Sequence, residues 1–307
     1  MLTSFFNKSR PENTIVILVY MTIGFILVTI NSYNGGFSGV YLFKVIGVWA
    51  LYIFTMLGLN FISQRNKLTG RTSYKILLFS GFTLLFPEAL TNPKIVVSGV
   101  FIMLALRMIF SLRSGKHMER KIFDASLWIG VSTLVYFWSH ITVLVLIVAL
   151  ISYGRNKWRY WFIPGLAFVV VIILTTCYVL YIDEDIDYIL GGIQEVSLDF
   201  TKYSEIKVLL PVTFVSAFFL WTIGAFIKGS ATTSIALRTI YILIFFFAIA
   251  TLMIVFVASD KNGQEWYFFA IPLSIMASIF FENASSKWIP ETLLWIIVLL
   301  PFVHYFL

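Results

Sequence analysis

Long apolar runs separated by short polar clusters recur from Thr14 to Leu307. Thr14–Asn31, Phe37–Ile62, Ile95–Leu112, Trp161–Ile182, Val208–Ile227, Thr239–Val257, Trp266–Phe281 and Ile289–Leu307 approach or exceed the roughly 20 residues that a membrane-crossing helix needs. Two runs do not fit that length. Ile76–Phe86 makes about 16 Å of helix against a hydrocarbon core of about 30 Å. Phe123–Tyr153 makes about 46 Å, short for two full crossings, yet it lies between two basic clusters that belong on one side. It is expected to form two short helices or a re-entrant pair, broken near Trp138, Ser139 and His140. The fold class is all-α: a polytopic transmembrane helix bundle of about 10 to 11 membrane segments, short or broken ones included. No polar stretch is long enough for a separate globular domain, so residues 1–307 are read as one transmembrane domain.

Composition agrees with the pattern. The 307 residues are 60% hydrophobic and 12% charged, about half the charged fraction of an ordinary soluble domain. The net charge of +7 does not point to nucleic acid, because the cations sit in short clusters between apolar runs, as the positive-inside rule expects. Only Lys94, Lys202, Lys207 and Lys261 fall in outer loops, Lys44 and Arg107 fall within apolar runs, and the remaining cations are cytoplasmic. The N-terminus is therefore cytoplasmic. The first apolar run lacks a small-x-small cleavage site and is expected to stay as an anchor. Cys177, the single cysteine, allows no intrachain disulfide.

The stretch LLFPEALTNPK, Leu84 to Lys94, concentrates the candidate chemistry. A short helix ending near Phe86 would leave Glu88 within the membrane thickness, where irregular backbone is tolerated only inside protein or beside a water-filled cavity. Pro87 and Pro93 set the ends of the flanking helices. Intramembrane charges are costly and mark sites by default. They sort into an outer layer of Lys44, Glu88 and Lys94 and an inner one of Arg107, Glu119 and Asp124. Glu88 is the candidate catalytic base, and Lys44, Lys94, Arg107 and His140 are candidate substrate-binding residues. Two cations beside one carboxylate suit an anionic headgroup. Snorkelling of Lys44 and Arg107 and a structural ion pair for Glu88 are the competing reading. His140, at the expected helix break, either satisfies freed backbone groups or relays protons. His117, His140 and His304 show no ligand spacing, so no metal site and no cofactor is expected. Within the acidic segment 183–206, Ile186, Ile189, Leu190, Ile193, Val196 and Phe200 share one helical face, opposite Asp187, Glu195 and Asp199. That pattern describes either a helix lying on the outer bilayer surface or an acidic capping loop.

MLTSFFNKSRPEN, the block from FPEALTNPKIVVSG to STLVYFW, and KWRYWFIPGLAF together resemble an uncharacterised family of polytopic inner-membrane proteins from Bacteroidota. The resemblance covers roughly the first 180 residues and implies a bacterial inner-membrane location. Some such proteins carry the label beta-carotene monooxygenase, a chemistry using four iron-binding histidines, whereas three scattered ones exist here. Short broken helices around a polar outer vestibule are more loosely similar to polyprenyl-phosphate-dependent membrane glycosyltransferases and polymerases. Those place an acid in the first outer loop, where this chain has NSYNGG, and O-antigen polymerases and ligases use outer arginines, which this chain lacks. The resemblance implies a protein handling a lipid-linked glycan or polyprenyl-phosphate intermediate, as a transferase or flippase, with membrane lipids and an anionic headgroup as partners. The alternative is a non-catalytic membrane subunit of an envelope assembly, secretion or motility complex, bound to small membrane proteins. A small-solute transporter ranks third for want of an inverted repeat.

Overall fold

The computed structural model describes residues 1–32, 38–154, 157–182, 192–284 and 288–305. Among these there are thirteen α-helices and no strand. They are α1 Leu2–Phe6, α2 Pro11–Asn31, α3 Gly39–Asn66, α4 Tyr74–Leu84, α5 Pro87–Thr91, α6 Pro93–Ser111 and α7 Met118–Val135. Then follow α8 Val143–Tyr153, α9 Arg159–Tyr181, α10 Ile206–Thr232, α11 Ile235–Val257, α12 Trp266–Asn283 and α13 Trp288–Tyr305. Eight of them are long and apolar enough to cross a membrane. The chain is a multi-pass helical membrane protein.

The short α4 is the centre of the bundle: every one of its residues is buried. It packs along α12, which is buried almost throughout, and α2, α3 and α13 close around it. Lipid offers no hydrophobic drive for helices to associate, so close packing and internal hydrogen bonds must hold this centre. Gly81 shows how tight it is, since a Cβ there would stand 2.4 Å from Ile297 Cγ2 and 3.1 Å from the Ile297 carbonyl. The buried Tyr52 hydroxyl and Thr83 Oγ1 lie 2.5 Å apart and tie α3 to α4.

The long run Phe123–Tyr153 breaks where expected. α7 stops at Val135, a 3-10 turn covers Phe137–Thr142, and α8 follows. The carbonyls that lose helical partners are taken up locally. His140 Nδ1 donates to the Phe137 carbonyl at 2.7 Å, Thr142 Oγ1 to the Ser139 carbonyl at 2.6 Å, and the Ser139 hydroxyl to the Tyr136 carbonyl. Of the two roles open to His140, the geometry displays the first. The hairpin lies between α6 and α11, with α9 on its far side against α7.

Contacts sort the turns into two sets, one at each end of the bundle, and the end that carries the basic clusters is called inner below. At the inner end, Glu282 accepts from the Gly70 amide at 2.8 Å and Thr72 Oγ1 at 2.5 Å, while Glu291 accepts from Leu2 and Thr3. Lys75, fully buried in the first turn of α4, donates to the Thr72 carbonyl at 2.9 Å. The opposite, outer end gathers the turns around residues 85–92, 200–205 and 258–265.

Of the two readings of the acidic segment, its described part fits the capping loop. Ile193–Phe200 form no helix, while Ile186, Asp187, Ile189 and Leu190 lie outside the described residues, as do most of NSYNGG, Arg155 and Lys287. The segment is anchored to protein instead: the Ser197 amide bonds the Val257 carbonyl at 3.4 Å, and Phe200 packs edge-on to Phe256. Asp199 Oδ1 then accepts from the Thr201 amide at 3.0 Å and starts the turn Thr201–Ser204.

Candidate functional site

The LLFPEALTNPK stretch folds around the five-residue α5, between the short α4 and the long α6. Pro87 opens α5 and Pro93 opens α6, each at a first-turn position where its missing N–H costs nothing. Asn92 caps α6, accepting from the Lys94 amide at 3.1 Å. Within α5 only Ala89 and Leu90 are buried. Glu88 is exposed. The expectation of a buried acid at this position is therefore corrected: α4 ends deep, but Leu85 and Phe86 carry the buried chain outward before Glu88 is reached.

Nor does the fold gather the expected outer layer into one site. Glu88 lines an open groove of about 370 Å3 with Leu85, Phe86, Lys202, Glu205, Lys207, Asn262 and His304. Lys44 lines a separate cavity of about 150 Å3 with Phe25, Tyr41, Leu90 and Thr91. Lys94 is exposed and lines neither. Among the described residues the one ion pair is Arg120 with Asp124, at 3.8 Å. Arg107 does not join Glu119 or Asp124, and lines an inner cleft with Arg65, Arg113 and Lys121.

His304 gives the groove its most informative feature. Its side chain is only 6% exposed, and its Nδ1 has no hydrogen-bond partner among the described residues. A buried imidazole nitrogen left unpaired is costly unless a ligand or water supplies the partner. The two lysines bring positive charge to the groove, and Glu88 and Glu205 bring acceptors.

Behind the groove lies a buried polar layer, part of it in a stretch read from the sequence as an outer loop. Phe86 stacks on Trp266, with ring centroids 5.8 Å apart, and Gly263 turns there with φ +94°, where a Cβ would stand 3.2 Å from Phe86. Glu265, the residue before α12, is 0% exposed. Tyr203 donates its hydroxyl to Glu265 Oε1 and accepts from Trp266 Nε1 at 2.9 Å. Glu265 Oε2 and the Tyr136 hydroxyl have no partner among the described residues. Burial pushes the Glu265 carboxyl up to about 7 against the opposing effects of Tyr203 and Lys261. Lys261 is 3% exposed, donates to the Val255 and Phe256 carbonyls, and sits 4.4 Å from the Phe200 ring centroid. Burial lowers its ammonium below the usual lysine range. One signal could have revealed this region. Three of the four outer-loop cations, Lys202, Lys207 and Lys261, converge on the groove or the layer behind it.

The sequence profile of DUF6427, described as a family of unknown function, matches residues 7–307. No curated protein and no solved structure matches the chain.

Proposed function

Since the chain belongs to DUF6427, a family of unknown function, we propose from its geometry that it is an inner-membrane protein whose outer groove receives the phosphate-bearing headgroup of a lipid-linked intermediate. The observation that carries this reading is one groove presenting Lys202 and Lys207 beside Glu88 and Glu205, with the buried His304 in its lining. Lysines supply donors to phosphate oxygens, and carboxylates accept from sugar hydroxyls. The mixed lining of the groove therefore suits a phosphate joined to a glycan better than a bare phosphate. Exposed apolar faces on α2, α9 and α13 give a long lipid chain room beside the bundle. If the protein is a transferase, Glu88 takes the role of base toward the attacking hydroxyl.

Tryptophan fluorescence tests the reading, because Trp266 stacks on a wall of the groove. Polyprenyl phosphate titrated into purified protein is expected to change the emission at lower concentration than the uncharged polyprenol. Lys202→Gln with Lys207→Gln should erase that difference. Equal responses to the two lipids in the wild type would refute phosphate recognition. Glu88→Gln separates the chemistries: it lowers turnover without changing binding in a transferase, and changes neither in a flippase.

A further inference from the structure

At the inner end, a cleft of about 440 Å3 opens between the C-terminal turns of α3 and α6 and the start of α7. Arg65, Arg107, Arg113 and Lys121 line it, and no carboxylate does. The positive-inside rule accounts for cations in inner loops. It does not account for four of them converging on one cavity from three helices and the 3-10 turn that follows α6, or for Arg107 lying more than a turn inside the apolar part of α6.

The Arg65 and Arg107 guanidinium groups both sit over the Phe61 ring, 5.6 and 5.5 Å from its centroid. Two like charges are thus held at one aromatic ring without a carboxylate in the cleft lining. Lys121 is fixed as well, its Nζ donating to the Ser111 carbonyl at 2.7 Å and Ser114 Oγ at 2.6 Å. That leaves its third proton for a ligand. The floor is apolar, formed by Ile62, Met108 and Phe110, and Phe61 itself is 46% exposed on the flank.

We infer that this cleft binds the phosphate headgroup of an anionic phospholipid in the inner leaflet. Guanidinium pairs match phosphate oxygens in geometry as well as charge, and basic pockets between membrane helices are where such headgroups dock. The apolar floor and the open Phe61 flank accept the first carbons of the acyl chains, which a soluble phosphate would leave uncovered. The site stands at the opposite end from the outer groove and does not depend on what that groove binds.

Thermal unfolding of the detergent-solubilised full chain, titrated with phosphatidylglycerol or phosphatidylcholine, tests the inference. Phosphatidylglycerol is expected to raise the midpoint at lower concentration than phosphatidylcholine. Arg65→Gln with Arg107→Gln should weaken its apparent affinity about thirtyfold, taking about 1 kcal/mol per cation. Lys67→Gln with Lys116→Gln, exposed cations of the same end outside the cleft, should leave it unchanged. Equal losses in the cleft variant and the Lys67/Lys116 control would overturn the site. Inorganic phosphate giving the full shift alone would overturn the lipid assignment in favour of a soluble phosphate compound.

Discussion

The two ends of this bundle handle charge in opposite ways. The inner cleft collects cations of one sign at its surface and leaves them uncompensated. The outer end mixes both signs in its groove and buries a further acid, Glu265, and a further lysine, Lys261, behind it. Uncompensated surface charge needs only a counter-ion from outside. A buried carboxyl with one bonded and one open oxygen is settled by its protonation state, so the outer end should answer to pH and the inner end to salt and to anions.

The largest expected effect sharpens that contrast at the outer end. Burial raises the Glu265 carboxyl from 4.5 to about 7, so the folded protein holds a proton that the unfolded chain releases. Stability present below pH 4.5 should fall as pH rises toward about 7, by about 3 kcal/mol in all. Unfolding midpoints in neutral detergent across that window measure it. Glu265→Gln should flatten the profile, and a wild-type profile that is already flat would remove the buried acid from the account.

At the inner end, Glu282→Ala should cost about 2 kcal/mol. It removes the acceptor for Thr72 and Gly70 and the carboxylate nearest the buried Lys75. Denaturation of the variant should show this loss with the outer pH dependence intact. A smaller loss, about 1 kcal/mol or somewhat more, is expected for Gly263→Ala, because φ of +94° is unfavourable with a Cβ and Phe86 stands in its path. Lipid binding at the groove should weaken in that variant while the inner cleft is unaffected. The smallest effect is a rise in wild-type stability of less than about 1 kcal/mol on adding salt, as repulsion among Arg65, Arg107, Arg113 and Lys121 is screened. Arg65→Gln with Arg107→Gln should remove most of it.

Much of the architecture was legible because the bilayer imposes lengths. Each long apolar run became one helix, the short Ile76–Phe86 run became the 11-residue α4, and the interrupted run broke at Trp138 to His140. The break could be located because Ser139, His140 and Thr142 are residues that can bond freed carbonyls. Depth was harder to read. Glu88 and Glu265 both follow a few residues after or before an apolar run, yet one is exposed and the other sealed. The difference lies in packing from a distant segment: Tyr203 bonds Glu265 from the turn at residues 201–204, whereas Glu88 lies exposed along the groove. His304 belongs to the groove for the same reason. It is brought there by α13 packing on α4, a contact that no local pattern encodes.

The central claim is that a phosphate-bearing lipid sits in the outer groove, and photo-crosslinking addresses its location most directly. A polyprenyl phosphate with a diazirine beside the phosphate, irradiated with the protein in nanodiscs, should label peptides containing residues 84–88 and 200–208. Excess unlabelled polyprenyl phosphate should compete that labelling away. Labelling confined to the exposed faces of α2, α9 and α13, unaffected by competitor, would show the lipid as bulk solvent and contradict the account.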